Sequence, residues 1–388
     1  METRASETSI ELDQARQQKA RHYARARRRL MLVDLVLGAL YLTAWITSGA
    51  HLLLRDRVGA FSSLPAFQVL LYALALGIPY VVIDLPLSYY SGFVLPHRYG
   101  QSTQSFGHWA GDQIKGLAIG GVLGAAVLST IYWLLRVQPD WWWLYAGGVM
   151  FVFSVVLSNL APVLLAPLFY KFSPLDDADL KGRLLALAER ANTQVQGVFR
   201  FDMSTRTRGA NAALMGLGRT RRIVLGDTLL EEFTPDEIEV ILAHELAHHV
   251  HRDIPLLIAF EAILTLLSFG LAHLALRLGV TQFGLQGVSD PAGMPVLAVG
   301  IGLIGLLTMP LGNALSRWRE READRYAIRE TRKPQAFIDA MTRLANQNLA
   351  DAEPERWVVV LLHSHPPISD RIRDALRFTE VMSGRTIP

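Results

Sequence analysis

The chain has 388 residues, of which 51% are hydrophobic and 19% charged, and its mean hydropathy is +0.25. This composition is too apolar for an ordinary soluble protein. Because the sequence contains no cysteine, disulfides and thiolate metal ligands are excluded. The net charge is only +3, and no basic strip is interleaved with aromatic residues, which argues against nucleic-acid binding.

Residues 1–29 are polar, and the chain beyond them contains six apolar stretches long enough to cross a bilayer. The predicted spans are approximately Leu30–Thr47, Phe67–Tyr89, Ile114–Leu135, Trp141–Phe169, Ile254–Leu278 and Ala292–Leu311. Pro162 and Pro167 interrupt the fourth span, so we expect its end to bend or to lie in the membrane interface. Trp141, Trp142 and Trp143 are typical of an interfacial aromatic anchor.

The charges beside the spans predict their orientation. Four arginines precede the first span, whereas the loop 281–291 has neither Lys nor Arg. The positive-inside rule therefore places the amino terminus in the cytoplasm. Six crossings return the carboxyl terminus to the same side, together with the segment between spans four and five. We expect a multi-pass protein of a bacterial inner membrane whose soluble parts face the cytoplasm.

Polar residues also occur inside the predicted spans. Glu261 and His273 lie in the fifth, Asp84 in the second and Asn159 in the fourth. Intramembrane polar groups usually face a bundle interior or a wet cavity, so each is a functional hypothesis.

Between the fourth and fifth spans the pattern changes to that of a small soluble module. Residues 176–196 are predicted to be helical, residues 198–203 to form a strand, and residues 212–217 and 221–225 to form a hairpin. An edge strand beside a reactive site can hold an extended peptide through main-chain hydrogen bonds. The alternative is an ordinary supporting sheet.

The module ends in His244-Glu245-Leu246-Ala247-His248, an H-E-x-x-H motif. Residues four apart share one helix face, so His244 and His248 can bind one metal ion. Glu245 is then placed to take a proton from water at the metal. Thr234 and Glu237 predict a capping box that starts the helix. The alternative is a surface helix whose histidines are satisfied by ordinary hydrogen bonds.

A catalytic zinc usually has three protein ligands and one open position. Beyond the sixth span, Glu320 and Asp324 share a helix face, which suits Glu320 as the third ligand and Asp324 as the acceptor that orients a ligand histidine. Glu322, on another face, is the alternative ligand. His249 and His251 are interpreted as polar neighbours, because a further ligand would close the open position. One zinc ion per chain is predicted.

Several motifs outside the metal helix carry a family resemblance. In chain order they are Gly92-Phe93-Val94, Arg98-Tyr99-Gly100, Asp112-Gln113-Ile114-Lys115, 166–175 (APLFYKFSPL), Asn211-Ala212, 222–230 (RIVLGDTLL), 316–324 (SRWREREAD) and Ser364-His365-Pro366-Pro367. Together with the metal helix they resemble the type I CAAX prenyl endopeptidase family of integral-membrane zinc metallopeptidases, which is related to the bacterial membrane heat-shock metalloproteases.

The resemblance implies Glu320 as the third ligand, Asn211 as a residue that grips the substrate backbone, and His365 as a hydrogen-bond partner near the scissile carbonyl. Judged from its chemistry alone, a histidine that precedes two prolines more often belongs to a turn than to a catalytic site. The chain departs from the family in two respects. Eukaryotic members usually have seven spans, and residues 95–97 (LPH) replace the acidic residues expected before Arg98.

The expected fold class is mainly α: a polytopic membrane protein of about six transmembrane helices with a small α+β catalytic module of gluzincin type. The expected parts are a polar segment (1–29), a membrane domain of four spans (30–170), a cytoplasmic catalytic module (171–253), a transmembrane hairpin (254–312) and a cytoplasmic carboxyl-terminal part that carries the third ligand (313–388).

The predicted function is zinc-dependent cleavage of peptide bonds at the cytoplasmic membrane face. The expected partners are the lipid bilayer and a peptide or membrane-protein substrate, with or without a lipid attached, and no nucleic acid. One alternative is quality control of damaged membrane proteins. Another is an inactive scaffold that binds peptide or lipid, although such a protein has no need of the general base Glu245.

Overall fold

The computed structural model describes residues 12–216 and 218–382. The helices are α1 (Gln14–Thr47), α2 (Ala50–Phe61), α3 (Pro65–Tyr89), α4 (Leu95–Arg98), α5 (Phe106–Val137), α6 (Trp142–Leu160), α7 (Ala166–Phe169), α8 (Ala178–Arg190), α9 (Asp227–Glu232), α10 (Pro235–Val250), α11 (Asp253–Gln282), α12 (Met294–Thr331), α13 (Pro334–Gln347), α14 (Arg356–Leu362) and α15 (Ile368–Met382). The strands are β1 (Phe172–Pro174), β2 (Val198–Phe201), β3 (Ala212–Met215) and β4 (Arg222–Gly226).

Within the described ranges, six helical segments are long and apolar enough to cross a membrane, which confirms the six predicted spans. They are Gln14–Thr47, Pro65–Arg98, Phe106–Val137, Trp142–Phe169, Asp253–Gln282 and Pro291–Thr331. Large apolar side chains such as Val36, Val122 and Leu307 are exposed on them, as expected for surfaces in contact with lipid. The 12-residue α2 is too short to span a bilayer.

Helix α1 begins well before the apolar stretch. Asp13 caps it by accepting hydrogen bonds from the backbone of Ala15 and Arg16. The buried Gln17 binds the backbone of Ala350 and Ala352 at 3.2 and 3.0 Å. The later part of the polar segment 1–29 is therefore continuous with the first membrane helix and packs on the carboxyl-terminal part. Residues 1–11 lie outside the described residues.

Several of the intramembrane polar groups have internal partners. His273 Nδ1 accepts a hydrogen bond of 3.0 Å from the indole of the buried Trp142. Asn159 donates to the backbone carbonyl of Val155 in its own helix at 2.8 Å. The first contact joins α6 to α11, whereas the second stays within α6. Glu261 instead lines a cavity of about 680 Å³ between α6, α11 and α12.

The sheet has the strand order β1-β2-β4-β3, in which only the β2–β4 pair is parallel. The predicted hairpin is present, with Ala213 opposite Val224, and β3 is an edge strand. The predicted strand from residue 198 ends at Phe201. Asp202 then turns the chain and accepts a hydrogen bond of 2.7 Å from the backbone of Lys171.

Helix α10 lies at the centre of the soluble core. Thr234 Oγ1 accepts a hydrogen bond from Glu237 N at 3.3 Å, and Glu237 Oε2 accepts one from Thr234 N at 2.7 Å, so the predicted capping box is confirmed. The helix packs against α8, α12, α13 and β3. Apolar residues from these elements and from β4 enclose it, among them Leu184, Ile223, Ala327 and Phe337. This burial holds the H-E-x-x-H turn rigidly against α12.

Candidate metal centre

Helices α10 and α12 bring three metal-ligating side chains together. His244 Nε2 lies 3.2 Å from Glu320 Oε2, and His248 Nε2 lies 3.5 Å from Glu320 Oε1. One ligand atom from each residue lies within 4.8 Å of the others. The two histidines are neighbours because they stand one turn apart on α10, while Glu320 reaches them because α12 packs alongside.

The other nitrogen of each imidazole is held by an acid. His244 Nδ1 is 2.9 Å from Asp324 Oδ1, and His248 Nδ1 is 2.8 Å from Asp253 Oδ2. Both acids are buried. With Nδ1 occupied in this way, each ring presents Nε2 to the common centre, which is the arrangement that metal-ligating histidines require. Sequence reasoning missed Asp253, because no pattern along the chain indicates that this acid is buried beside His248.

Two arginines hold these acids, and sequence reasoning identified neither. Arg371 Nε donates to Asp324 Oδ2 at 2.9 Å, and Arg371 is itself buried. Arg319 pairs with Asp253. The acids can therefore stay ionised away from water, since a buried carboxylate needs a charged or hydrogen-bonding partner. The result is two chains of contacts, each running from an arginine through a carboxylate to a ligand histidine.

The electrostatics favour a positive charge at the centre. Burial disfavours the protonated ring of His244, but the neighbouring carboxylates of Asp324 and Glu320 outweigh burial and raise the pKa of His244 to about 10. By contrast, burial lowers the pKa of His249 to about 4, with Arg221 adding to the shift. His249 is therefore neutral and lies outside the ligand cluster.

One carboxylate oxygen of Glu320 indicates whether a metal ion fits the site. Glu320 Oε2 is buried without a hydrogen-bond partner among the described residues, although His244 Nε2 is 3.2 Å away. This ionic proximity does not form a hydrogen bond, so it does not satisfy the oxygen. A buried carboxylate oxygen left without a hydrogen bond is destabilising unless a cation occupies the gap beside it. The residues present therefore fit a divalent metal ion.

The remaining predicted residues surround this centre in different ways. Glu245 is half-buried on α10, and no described residue donates a hydrogen bond to its carboxylate. His365 Nε2 lies 3.3 Å from Glu320 Oε1, while its Nδ1 is 3.0 Å from Ser364 Oγ. Asn211 is exposed immediately before β3, where its carbonyl accepts a hydrogen bond of 2.9 Å from Gly226 N.

The alternative ligand and the second polar neighbour lie apart from the centre. Glu322 pairs with Arg325 at 2.8 Å on an exposed face of α12. His251 packs edge-on against Tyr326, with ring centroids 5.5 Å apart. Neither belongs to the ligand cluster found among the described residues.

Comparison with known families shows the family of this chain. Residues 2–171 match the family described as CAAX prenyl protease N-terminal, five membrane helices, and residues 174–379 match Peptidase family M48. The chain belongs to peptidase family M48. Where the amino-terminal family description counts five membrane helices, the described part of residues 2–171 contains four helices long enough to span, in addition to the short α2.

Relatives of this M48 chain include proteins named as proteases. It is 29% identical over 360 residues to the uncharacterized metalloprotease YhfN of Bacillus subtilis (strain 168), covering 92% of this chain and 84% of the relative. It is 31% identical over 300 residues to the CAAX prenyl protease 1 homolog of Arabidopsis thaliana, covering 75% and 69%. A crystal structure of S. mikatae Ste24p superposes with a TM-score of 0.84 at 26% identity, covering 95% of this chain and 92% of the other.

These likenesses confirm the expected fold and class of activity. The M48 chain is an integral, multi-pass membrane protein and a metalloprotease, and hence a hydrolase. Membership in this family implies a bound metal ion.

Proposed function

We propose that the chain is a zinc-dependent endopeptidase that cleaves peptide bonds at the cytoplasmic face of a bacterial inner membrane. The observation that carries the proposal is the meeting of His244, His248 and Glu320 around one point, with Glu245 next to the first ligand. Two imidazoles and a carboxylate are a ligand set typical of catalytic zinc. They would hold one zinc ion per chain and leave a coordination position open.

When bound, Zn²⁺ supplies a Lewis acid that polarises a carbonyl oxygen and favours ionisation of water near neutral pH. The carboxylate of Glu245 accepts a proton from the attacking water and delivers it to the nitrogen of the leaving amine as the C–N bond breaks. His365, whose Nε2 lies 3.3 Å from Glu320 Oε1, donates from Nε2 to the oxyanion that forms at the carbonyl. Asp324 and Asp253 keep the ligand rings oriented.

The edge strand β3 supports an extended substrate. It packs against α10 and leaves its outer backbone unpaired within the sheet, so a peptide can add beside it through main-chain hydrogen bonds. Asn211, which is exposed immediately before β3, is the residue that we assign to grip the peptide backbone. The substrate is a peptide or a segment of a membrane protein, with or without a lipid, that reaches the centre from the membrane surface.

Glu245→Gln tests the mechanism, because the amide can no longer take a proton from water. We expect it to lower kcat for a cleaved peptide by about 10²- to 10⁴-fold while zinc content and unfolding midpoint stay at the parent values. Glu322→Gln, at a partly exposed residue of α12 outside the ligand cluster, is the matched control and should retain parent activity. If the Glu245→Gln protein cleaves at the parent rate, Glu245 is not the general base.

A further inference from the structure

A cavity of about 530 Å³ opens beside the metal centre. It lies between the cytoplasmic part of α1, the 348–351 turn and the 362–368 loop. His365 and Arg371 are both part of its lining, and His365 Nε2 is 3.3 Å from Glu320 Oε1. Through His365 the cavity adjoins the place where a peptide bond would react, and a substrate extending from that bond has room to enter it.

The charges that face this cavity are unbalanced. Its lining includes the guanidinium groups of Arg27, Arg28 and Arg371 but only one carboxylate, Asp351. Two of the cations are paired with acids that are not part of the lining. Arg371 binds Asp324, and Arg28 lies 3.1 Å from Glu355.

Arg27 is the cation that has no acid partner within the described residues. Its guanidinium lies 5.7 Å from the ring centroid of Tyr23, and the residue is exposed. Asp351 shares the lining but forms no ion pair with Arg27, and its Oδ1 accepts a hydrogen bond of 3.2 Å from Glu353 N. An arginine on an aromatic ring keeps its planar donor groups available, and these match the two oxygens of a carboxylate.

We propose that this cavity binds a carboxylate of the substrate and that Arg27 is the residue that holds it. The proposal rests on the proposed peptidase function and adds a specificity determinant to it. The carboxylate has two possible sources with the same chemistry, namely the free carboxyl terminus of a peptide and an acidic side chain close to the scissile bond. Arg27 thereby selects substrates by charge, whereas the metal centre performs the reaction.

The experiment uses the full chain in detergent and three forms of one fluorescent peptide. The forms carry a free terminal carboxylate, a terminal amide, or a terminal amide with a Glu near the end. We expect kcat/KM for one carboxylate form to exceed that of the plain amide by about tenfold, which is the scale of one charge-assisted contact. The favoured form identifies the source of the carboxylate. Arg27→Gln should abolish this preference, and Arg27→Lys should retain part of it.

Arg25→Gln is the matched control, because Arg25 is exposed on the same helix and does not line this cavity. This variant should keep the full carboxylate preference. Binding of the same peptides is measured with the Glu245→Gln protein and with the double variant Glu245→Gln/Arg27→Gln. These measurements report the carboxylate preference without turnover. A lack of cleavage would therefore contradict the proposed function, while equal Kd values for all three peptides would overturn the carboxylate site.

Retention of the parent preference by Arg27→Gln would also overturn the proposal. The proposal would likewise be overturned if Arg27→Gln lowered activity equally for all three peptides and only in vesicles of anionic lipid. That result would assign Arg27 to lipid headgroups at the membrane surface.

Discussion

Each ligand histidine is held by its own buried acid, and the two acids come from different helices. Asp324 lies one turn beyond Glu320 on α12, whereas Asp253 is the first residue of α11. Between α10 and α11, Arg252 adopts a φ of 55° in the left-handed region. This conformation is uncommon for a residue with a side chain. It turns the chain sharply enough for Asp253 to reach back to His248.

Asp253→Asn tests the importance of this contact. The variant keeps the size of the side chain but removes the charge that orients the His248 ring, so we expect zinc affinity to fall by about 10- to 100-fold. Competition with a chelator of known affinity measures the change. Asp140→Asn, exposed at the other end of the membrane helices, is the control. Unchanged zinc affinity in Asp253→Asn would show that ring orientation does not depend on this acid.

The sequence predicts the Asp324 contact and not the Asp253 contact for a physical reason. Residues 320 and 324 share a face of one helix, so their proximity follows from helical spacing. His248 and Asp253 belong to two helices, and their distance of 2.8 Å depends on the angle between those helices. Spacing along the chain carries no information about that angle. Arg371 was missed for the same reason, because 47 positions separate it from Asp324.

At the scale of elements, an ionic cluster fixes the amino-terminal half of the metal helix. Arg183 of α8 and Lys333, just after α12, both bind Glu239 at 2.6 Å, and both also pair with Asp236. Burial raises the pKa of Glu239, but the hydrogen bonds and charges of Arg183 and Lys333 outweigh it and hold that pKa below its usual range. The pKa of Asp236 is lowered mainly by its hydrogen bonds to Lys333 and Arg183.

This cluster predicts acid lability of the soluble module. A carboxylate whose pKa is lower in the folded state stabilises the fold above its unfolded-state pKa, about 4.3 for Glu, and this stabilisation is lost as the pH falls through the folded-state pKa. We expect Glu239→Gln to lower the thermal unfolding midpoint near pH 7. The difference from the parent protein should shrink below about pH 4.

Unfolding midpoints measured from about pH 7 to pH 3 test this expectation. Glu232→Gln is the control, since Glu232 is exposed on α9 and forms no ion pair with a described residue. If the difference in unfolding midpoint between Glu239→Gln and the parent stays constant over the whole pH range, the charge of Glu239 does not contribute to stability.

Elements with strong local signals were predicted well, and those without were missed. The start of α10 follows from Thr234 and Glu237, and the β3–β4 hairpin follows from its two short apolar runs. Strand β1 has only three residues, including Pro174, and shows no alternation. It is a strand because it pairs with β2, so its structure depends on a partner that is distant in the sequence.

At the scale of the whole molecule, polar contacts gather at the two ends of the membrane helices. At one end, His51 Nε2 lies 3.1 Å from the carbonyl of Phe283, and Arg55 lies 3.1 Å from Asp290. At the other end, Arg206 binds Asp112 at 2.8 Å between the soluble module and the start of α5. This separation is compatible with six crossings that leave the metal centre on the same side as the amino terminus.

The proposed orientation is testable because the chain has no cysteine of its own. Single cysteines introduced as Ser63→Cys, between α2 and α3, and as Gln194→Cys, in the soluble module, would both be exposed. We expect an impermeant maleimide to label Ser63→Cys in intact spheroplasts of a bacterial host and Gln194→Cys only after permeabilisation. Labelling of Gln194→Cys in intact spheroplasts, with Ser63→Cys protected, would reverse the proposed topology.

The sequence alone determined the membrane spans, the metal helix and its pair of histidines, because each depends on hydrophobicity or on the spacing of residues within one helix. It also indicated Glu320, whose role the family resemblance supports. Only the tertiary structure decided which groups surround the ligands: Asp253, Arg319, Arg371 and the cavity beside Arg27. These positions depend on how α1, α11, α12 and α15 pack around α10, and packing between distant segments has no periodic signal along the chain.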